Sequence, residues 1–171
     1  MRWIWIDQIL EIEKATRCVA IKNVSLAEDV VHDHFPATAD RPATPVMPNP
    51  LIVEGMAQTA GILVGHARDF KEKVILAKVG KAEFRAAAAP GDQLRYTATI
   101  QNLHDNGAST HGVVEVTRPK SPQPIELATI DLMFSHIDQN VRGLKFPEHN
   151  FVVTDQFMSL LERCGVDTRP A

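Results

Sequence analysis

The chain has 171 residues, of which 44% are apolar and 23% charged, and its formal net charge is −3 at neutral pH. This length most simply forms one globular unit with a substantial core, and the charge argues against nucleic-acid binding, for which a basic stripe is expected. No apolar run is long enough to span a bilayer, and the first residues lack the features of a signal peptide, so we expect a cytoplasmic protein without a membrane partner.

The first third of the chain predicts short strands and a loop. Residues 17–24 alternate and are rich in β-branched side chains, which is typical of a half-buried strand. Residues 37–45 contain three alanines, two threonines and two prolines, which indicates an irregular surface loop. Cys18 and Cys164 lie far apart in sequence without a recognisable motif, and we expect two free thiols rather than a disulfide.

Residues 51–65 predict a helix in the middle of the fold, because apolar or small side chains lie on every side of it. Asn49 is the expected N-cap of this helix and Pro50 its first residue. Among the side chains of this run, those that can form hydrogen bonds are Glu54, Gln58 and Thr59.

Glu54 and Gln58 are four residues apart and therefore lie on the same face of the predicted helix. Burying a carboxylate costs free energy unless the group has a partner or a chemical task. Glu54 is thus the first candidate functional residue.

A series of strands is predicted after the helix, at residues 74–84, 93–103, 109–117 and 125–137. Asp105, Asn106 and Gly107 form a strong hairpin turn, and a segment with three prolines, residues 118–124, leads to the last strand. One buried helix among antiparallel strands predicts an α+β fold in which a curved sheet wraps around the helix.

We expect this domain to span residues 1–138 and a C-terminal extension to span residues 139–171. In the extension, Asp155 is the expected cap of a short helix over residues 156–164, and Gly165 follows its end. This segment could cover part of the sheet or the mouth of a tunnel. We favour a helix that packs on the domain for structural reasons.

Three motifs occur in a fixed order: His34-Phe35-Pro36, then residues 45–48 with the sequence PVMP, then residues 54–58 with the sequence EGMAQ. Together with Phe84-Arg85 and residues 90–94 (PGDQL), they resemble the hot-dog-fold 3-hydroxyacyl-acyl carrier protein dehydratases of fatty acid synthesis. The resemblance covers roughly residues 4–137, most of the chain.

The resemblance implies a homodimer, often a trimer of dimers, with active sites at the subunit interface. It assigns His34 as the catalytic histidine and Glu54 as the catalytic carboxylate, supplied by opposite subunits. Val46, Asn49 and Gln58 would bind or orient the thioester and the carboxyl group. The substrate would be a (3R)-3-hydroxyacyl chain on acyl carrier protein and the product the trans-2-enoyl thioester, without a metal or an organic cofactor.

The sequence departs from the family pattern at three places near these residues. Residues 37–45 form a longer link than the roughly three residues usual between HFP and the valine of PVMP. Asn49 replaces a glycine whose N–H is expected to bind the thioester carbonyl, and Pro50 removes a further donor. Asp33 replaces a glycine before His34 and brings a carboxylate next to the expected base.

Other functions stay open at this stage. A hot-dog acyl thioesterase and a repurposed, non-catalytic acyl-thioester-binding protein share the expected fold. An isomerising dehydratase is disfavoured because it usually has aspartate at the position of Glu54. His32 and His34 could share a metal ion, although a third ligand is lacking. A basic cluster could receive an acidic carrier protein or be a solvated face: Arg68, Lys71, Lys73, Lys78, Lys81 and Arg85.

Overall fold

A computed structural model of the chain describes residues 3–137 and 154–166. In chain order, the elements of these residues are β1 (Gln8–Glu13), β2 (Arg17–Asn23), α1 (Asp29–His32), α2 (Asn49–Ala67), β3 (Lys73–Phe84), β4 (Gln93–His104), β5 (Gly107–Arg118), β6 (Ser121–Ile137) and α3 (Asp155–Arg163).

The six strands form one antiparallel sheet in the order β1-β2-β4-β5-β6-β3. Along β4, the side chains of Leu94, Tyr96 and Ala98 are buried while their neighbours are more exposed, which is the alternation typical of a strand with one buried face. β1 and β3 are the two edges of the sheet. The predicted antiparallel sheet is therefore confirmed.

Helix α2 packs on the inner face of the curved sheet and forms the centre of the core. Ile52, Met56 and Leu63 of the helix are fully buried, as are Leu94 and Ile130 of the sheet. The residues of α2, which are apolar on every side of the helix, are thus buried as predicted. The α+β arrangement with a central helix is confirmed.

Two glycines allow the helix and the sheet to approach each other closely. A Cβ atom on Gly55 would lie 2.6 Å from the ring of Tyr96, and one on Gly112 would lie 2.4 Å from Sδ of Met56. A larger residue at Gly55 would force the helix away from the Tyr96 ring, whereas one at Gly112 would require the Met56 side chain to move.

Two helix starts differ from the predicted ones. The N-cap of α2 is Pro48, so Asn49 is the first helical residue and Pro50 the second, and the cap forms no side-chain hydrogen bond. The N-cap of α3 is Thr154, and Asp155 is the first helical residue. In both cases the side chain predicted as the cap lies one residue inside the helix. In the first turn of α3, the carboxylate of Asp155 still interacts favourably with the helix dipole.

Strand β6 begins at Ser121, four residues before the predicted start. Its pairing with β5 is irregular between Ile125 and Ser121, which is the segment that holds Pro122 and Pro124. β3 pairs only with residues 128–137 of β6. The prolines are tolerated because they lie where the regular ladders end. The short helix α1 was not predicted, since four residues are too few to show a helical period.

Both cysteines are free, as expected, with Cys18 buried and Cys164 partly buried. No helix among the described residues is long and apolar enough to cross a membrane. The cytoplasmic location stays a prediction. The expected domain boundary between residues 138 and 139 lies outside the described residues.

Candidate active site

A cavity of about 730 Å³ lies against one face of α2. From the helix, its wall includes Glu54, Gln58, Gly61 and Gly65. Most of the other lining residues come from the N-terminal segment, the segment between α2 and β3, the start of β3, β6 and α3. They are mainly apolar: Trp3, Ile4, Phe70, Val74, Ile75, Leu76, Phe134, Phe157 and Leu161, among others. A carboxylate in the wall of an apolar cavity is an arrangement typical of a ligand site.

Glu54 is half-buried in this wall, and its carboxylate is held by two donors. The indole Nε1 of Trp3 donates to Oε1 of Glu54 at 3.1 Å, and Nε2 of Gln58 donates to the same oxygen at 2.9 Å. Oε2 has no hydrogen-bond donor within residues 3–137 and 154–166. Among the described residues, Oε1 is therefore held by two donors and Oε2 by none.

Gln58 joins the N-terminal segment to α2. Its Oε1 accepts a hydrogen bond of 2.8 Å from the backbone N–H of Trp5, and its Nε2 also donates to the carbonyl oxygen of Trp3 at 3.1 Å. The side chain is almost fully buried, so these bonds replace water that the amide has lost. The predicted contact of Gln58 with the Glu54 carboxylate is present in the structure.

Thr59, the third polar side chain predicted in α2, points into the helix itself. Its Oγ1 donates to the carbonyl oxygen of Gly55 at 2.8 Å. Such a bond to the preceding turn satisfies a buried hydroxyl without any outside partner. Thr59 therefore has a structural place and does not line the cavity.

His34 follows the end of α1 and is half-buried. Its ring lies 4.3 Å from the ring of Phe35, centroid to centroid. His34 does not line the cavity that holds Glu54. Within the described part of one chain, His34 therefore lies outside the cavity whose wall contains Glu54.

The long link over residues 37–45 does not move apart the two motifs that flank it, His34-Phe35-Pro36 and PVMP. The N–H of Thr44 donates to the carbonyl oxygen of Phe35 at 2.9 Å and closes an exposed loop. Within this loop, Thr38 and Arg41 form an isolated β-bridge. Met47 follows and is buried, with its N–H donating to Ala88 at 2.8 Å. The expected surface loop is confirmed, and it projects outward from the protein.

Val46 is half-buried and precedes Met47, and Asn49 is exposed at the start of α2. As the first residue of the helix, Asn49 has an N–H without an intrahelical acceptor. Pro50 has no N–H, and Leu51 donates to the carbonyl oxygen of Pro48 at 2.9 Å. The N–H of Asn49 is therefore the donor that this helix start can offer to an oxyanion.

Asp33 contacts His32 rather than His34. Oδ1 of Asp33 lies 2.5 Å from Nδ1 of His32, and both side chains are largely exposed. The carboxylate expected beside the base is therefore engaged with another histidine. Within the described residues, no group of three or more histidine, cysteine, aspartate or glutamate side chains is placed to hold a metal ion.

Sequence reasoning missed Trp3 as a site residue. Its indole reaches Glu54 across 51 residues of chain, and no local pattern indicates that contact. The ring packs edge-on against Trp5 with centroids 5.7 Å apart, and Trp5 is buried. The pair of tryptophans near the start of the chain was the available signal, since a buried tryptophan anchors an adjacent segment.

Comparison with known sequences gives matches over most of the chain. The model of the FabA-like domain matches residues 3–118. The 3-hydroxyacyl-[acyl-carrier-protein] dehydratase FabZ of Caldanaerobacter subterraneus is 35% identical over 133 residues, which cover 77% of this chain and 86% of the relative.

Comparison with solved structures supports the hot-dog fold. A thioesterase family protein from Silicibacter pomeroyi superposes with a TM-score of 0.60 at 11% identity, over 76% of this chain and 83% of that one. The dehydratase heterocomplex ApeI:P from Xenorhabdus doucetiae gives a TM-score of 0.58 at 17% identity, over 80% and 85%. At these identities the likeness establishes the fold, and the predicted hot-dog fold is confirmed.

Proposed function

The chain belongs to the FabA-like family, and from this premise we propose that it is a hydro-lyase that dehydrates (3R)-3-hydroxyacyl-[acyl carrier protein] to the trans-2-enoyl thioester in fatty acid or related lipid biosynthesis. The observation that carries the proposal is the Glu54 carboxyl group in the wall of an apolar cavity, which is held through Oε1 and has no donor to Oε2 among the described residues.

The reaction is a β-elimination that requires one base and one acid. His34 removes a proton from C2, the electron pair of that C–H bond forms the C2–C3 double bond, and the C3–O bond breaks. Glu54 protonates the departing hydroxyl, which leaves as water. Histidine suits proton transfer near neutral pH, and each such transfer contributes about 10²–10⁴-fold to the rate.

Negative charge builds up on the thioester oxygen as the C2 proton leaves. The free N–H of Asn49, with the positive end of the α2 dipole behind it, receives this charge. Val46, three residues earlier, borders the path of the thioester. Gln58 and Trp3 orient the Glu54 carboxyl group through hydrogen bonds to Oε1.

We propose that each active site takes His34 from one subunit and Glu54 from the other. The absence of His34 from the lining of the Glu54 cavity in one chain supports this arrangement. β3 is an edge strand with Leu76 and Val79 about 40% exposed, which is the type of edge that pairs with a second copy. The proposed assembly is a homodimer or a trimer of dimers.

The acyl carrier protein is the proposed partner that presents the substrate. The basic cluster at residues 68–85 is partly engaged already: Arg68 contacts Asp105 at 3.1 Å, and Lys81 contacts Glu83 at 3.0 Å. These exposed pairs contribute little to stability and can exchange for carboxylates of an acidic partner.

The test is hydration of a trans-2-enoyl-[acyl carrier protein], followed as loss of enoyl absorbance. We expect wild-type activity that falls about 10²–10⁴-fold in His34→Ala and in Glu54→Gln. His32→Ala is the matched control, because His32 lies two residues away, is exposed and contacts Asp33.

A folded wild type that is inactive with short and long acyl chains would contradict the proposal. Full activity in His34→Ala would remove the base from the mechanism. Release of free thiol from the acyl thioester, without hydration, would instead assign a thioesterase.

A further inference from the structure

We infer that α3 forms a wall of the acyl-chain subsite and that Phe157 determines which acyl chains the site accepts. This inference deepens the proposed function and rests on it, since it takes the ligand of the cavity to be the acyl chain of the thioester. It concerns a segment, residues 154–166, that follows the last strand of the sheet.

The lining residues of the cavity follow α2 over about three helical turns. Its helix-derived residues run from Glu54 through Gln58 and Gly61 to Gly65 along one face of α2. Eleven residues of α-helix correspond to about 16 Å. Glu54 lies near one end of this path, and Phe70 packs on Gly65 near the other end. A ligand with its reacting atoms at Glu54 therefore directs its tail along α2.

Two observations place α3 relative to the edge strands of the sheet. Near its C-terminal end, Sγ of Cys164 accepts a hydrogen bond of 3.3 Å from the N–H of Ile9 in β1. Toward its N-terminal end, Phe157 lines the same cavity as Val74 of β3. Helix α3 therefore contacts one edge strand and shares the cavity wall with the other.

The helix is held by packing and is not an exposed appendage. Leu161 is fully buried and Leu160 is 8% exposed, and both belong to the hydrophobic core. Phe157 and Leu161 are four residues apart, so they present one face of α3 to the cavity. A wall fixed in this way can discriminate between ligands by shape, because its side chains cannot move aside freely.

Of the two apolar side chains that α3 contributes to this wall, Phe157 is the one that a substitution can change with less effect on folding. It is only partly buried, whereas Leu161 is part of the core. Met158, the next residue, is also partly buried and packs against the core but does not line the cavity. Met158 therefore provides a matched control for Phe157.

Two other carboxylates lie in the cavity wall, that of Glu72 and that of Asp155, which is exposed at the start of α3. Oε2 of Glu72 lies 2.6 Å from Nδ1 of His136, whose side chain is fully buried. The Glu72 carboxylate is therefore engaged with the protein, and the surfaces that face a ligand tail are mainly hydrocarbon and aromatic.

The test uses the full-length protein with Phe157→Ala, Phe157→Trp and Met158→Ala. The ratio of kcat/KM for long to short enoyl chains is measured first. Binding of saturated acyl-pantetheine thioesters, which cannot be hydrated, is measured in parallel. We expect Phe157→Ala to raise the long-to-short ratio about tenfold, Phe157→Trp to lower it, and Met158→Ala to leave it unchanged.

An unchanged chain-length profile in both Phe157 variants, or the same shift in Met158→Ala, would overturn the inference. If Phe157→Ala fails to fold, the profile of Phe157→Trp decides. Absence of hydration in the wild type, together with a Phe157-dependent binding profile for the saturated thioesters, would reject the dehydratase and retain the acyl subsite.

Discussion

The indole Nε1 of Trp3 donates a hydrogen bond of 3.1 Å to Oε1 of Glu54, although Trp3 itself is 55% exposed. The backbone of Trp3 is held as well, since its carbonyl oxygen accepts a hydrogen bond from Nε2 of Gln58. An exposed side chain is thus held over the proposed catalytic carboxyl group. We interpret Trp3 as a positioning residue for Glu54.

Trp3→Phe removes the N–H donor and keeps an aromatic ring against Trp5. Because a hydrogen bond to a carboxylate is worth about 1.5–3 kcal/mol, we expect kcat to fall about tenfold or more. Tm should change little, since the side chain is 55% exposed. Steady-state kinetics and thermal unfolding separate these effects, and a lower Tm with unchanged kcat would assign Trp3 a merely structural role.

Gln58→Ala should destabilise the protein as well as reduce activity. The substitution leaves the buried N–H of Trp5 without its acceptor, which costs about 1–3 kcal/mol in the free energy of unfolding. Urea denaturation measures this loss. Gln101→Ala, at an exposed position of β4, is the control and should be neutral. Equal stability of the two variants would show that the Gln58 bonds contribute nothing.

Two glycines of α2 should respond in opposite ways to alanine. Gly55→Ala places a methyl group 2.6 Å from the Tyr96 ring, and we expect a net loss of about 1–3 kcal/mol. Gly61→Ala places a methyl group 3.6 Å from the ring of Phe134, which is an ordinary contact. The higher helix propensity of alanine should therefore raise the free energy of unfolding by up to about 1 kcal/mol. Thermal unfolding compares them, and a stable Gly55→Ala would mean that the helix and Tyr96 can separate at little cost.

Burial raises the pKa of the Cys18 thiol to about 12, with smaller contributions from Cys164 and Glu11. The folded state therefore favours the neutral thiol. Its contribution to stability is fully present below the ordinary value of 9.0 and is lost as the pH rises toward 12. In native protein near neutral pH, we expect Cys18 to resist alkylation.

The measurement is the free energy of unfolding across alkaline pH for wild type and Cys18→Ala. Above pH 9.0, the free energy of unfolding of the wild type should fall more steeply with pH than that of Cys18→Ala. The Cys164→Ala variant should retain most of the wild-type slope. Identical slopes in wild type and Cys18→Ala, or rapid native alkylation of Cys18, would contradict the burial of this thiol.

The sequence predicted those parts of the fold that local patterns determine. The strand predicted at residues 74–84 is observed as Lys73–Phe84, and the apolar run of α2 is buried as expected. The predicted start of β6 was wrong. Pro122 and Pro124 indicate a loop, because the sequence alone does not show that they lie beyond the regular pairing of β6 with β5 and β3.

The candidate site was predictable where it lies on one helix. Glu54 and Gln58 are four residues apart, so their contact follows from helical geometry. The contact with Trp3 and the wall formed by Phe157 depend on segments far apart in the chain, which only the tertiary fold brings together. The pairing of Asp33 with His32 instead of His34 depends on the side-chain direction at the end of α1.

Mixing of two inactive variants tests most directly the claim that His34 and Glu54 act from opposite subunits. His34→Ala and Glu54→Gln proteins are unfolded together, refolded, and assayed for enoyl hydration. In a mixed dimer, one site combines the intact His34 of one subunit with the intact Glu54 of the other. Random assortment makes about half of the dimers mixed, each with one intact site, so the account predicts recovery of about a quarter of wild-type activity. Activity no higher than that of the separate variants would contradict it, because both residues would then be needed from the same chain.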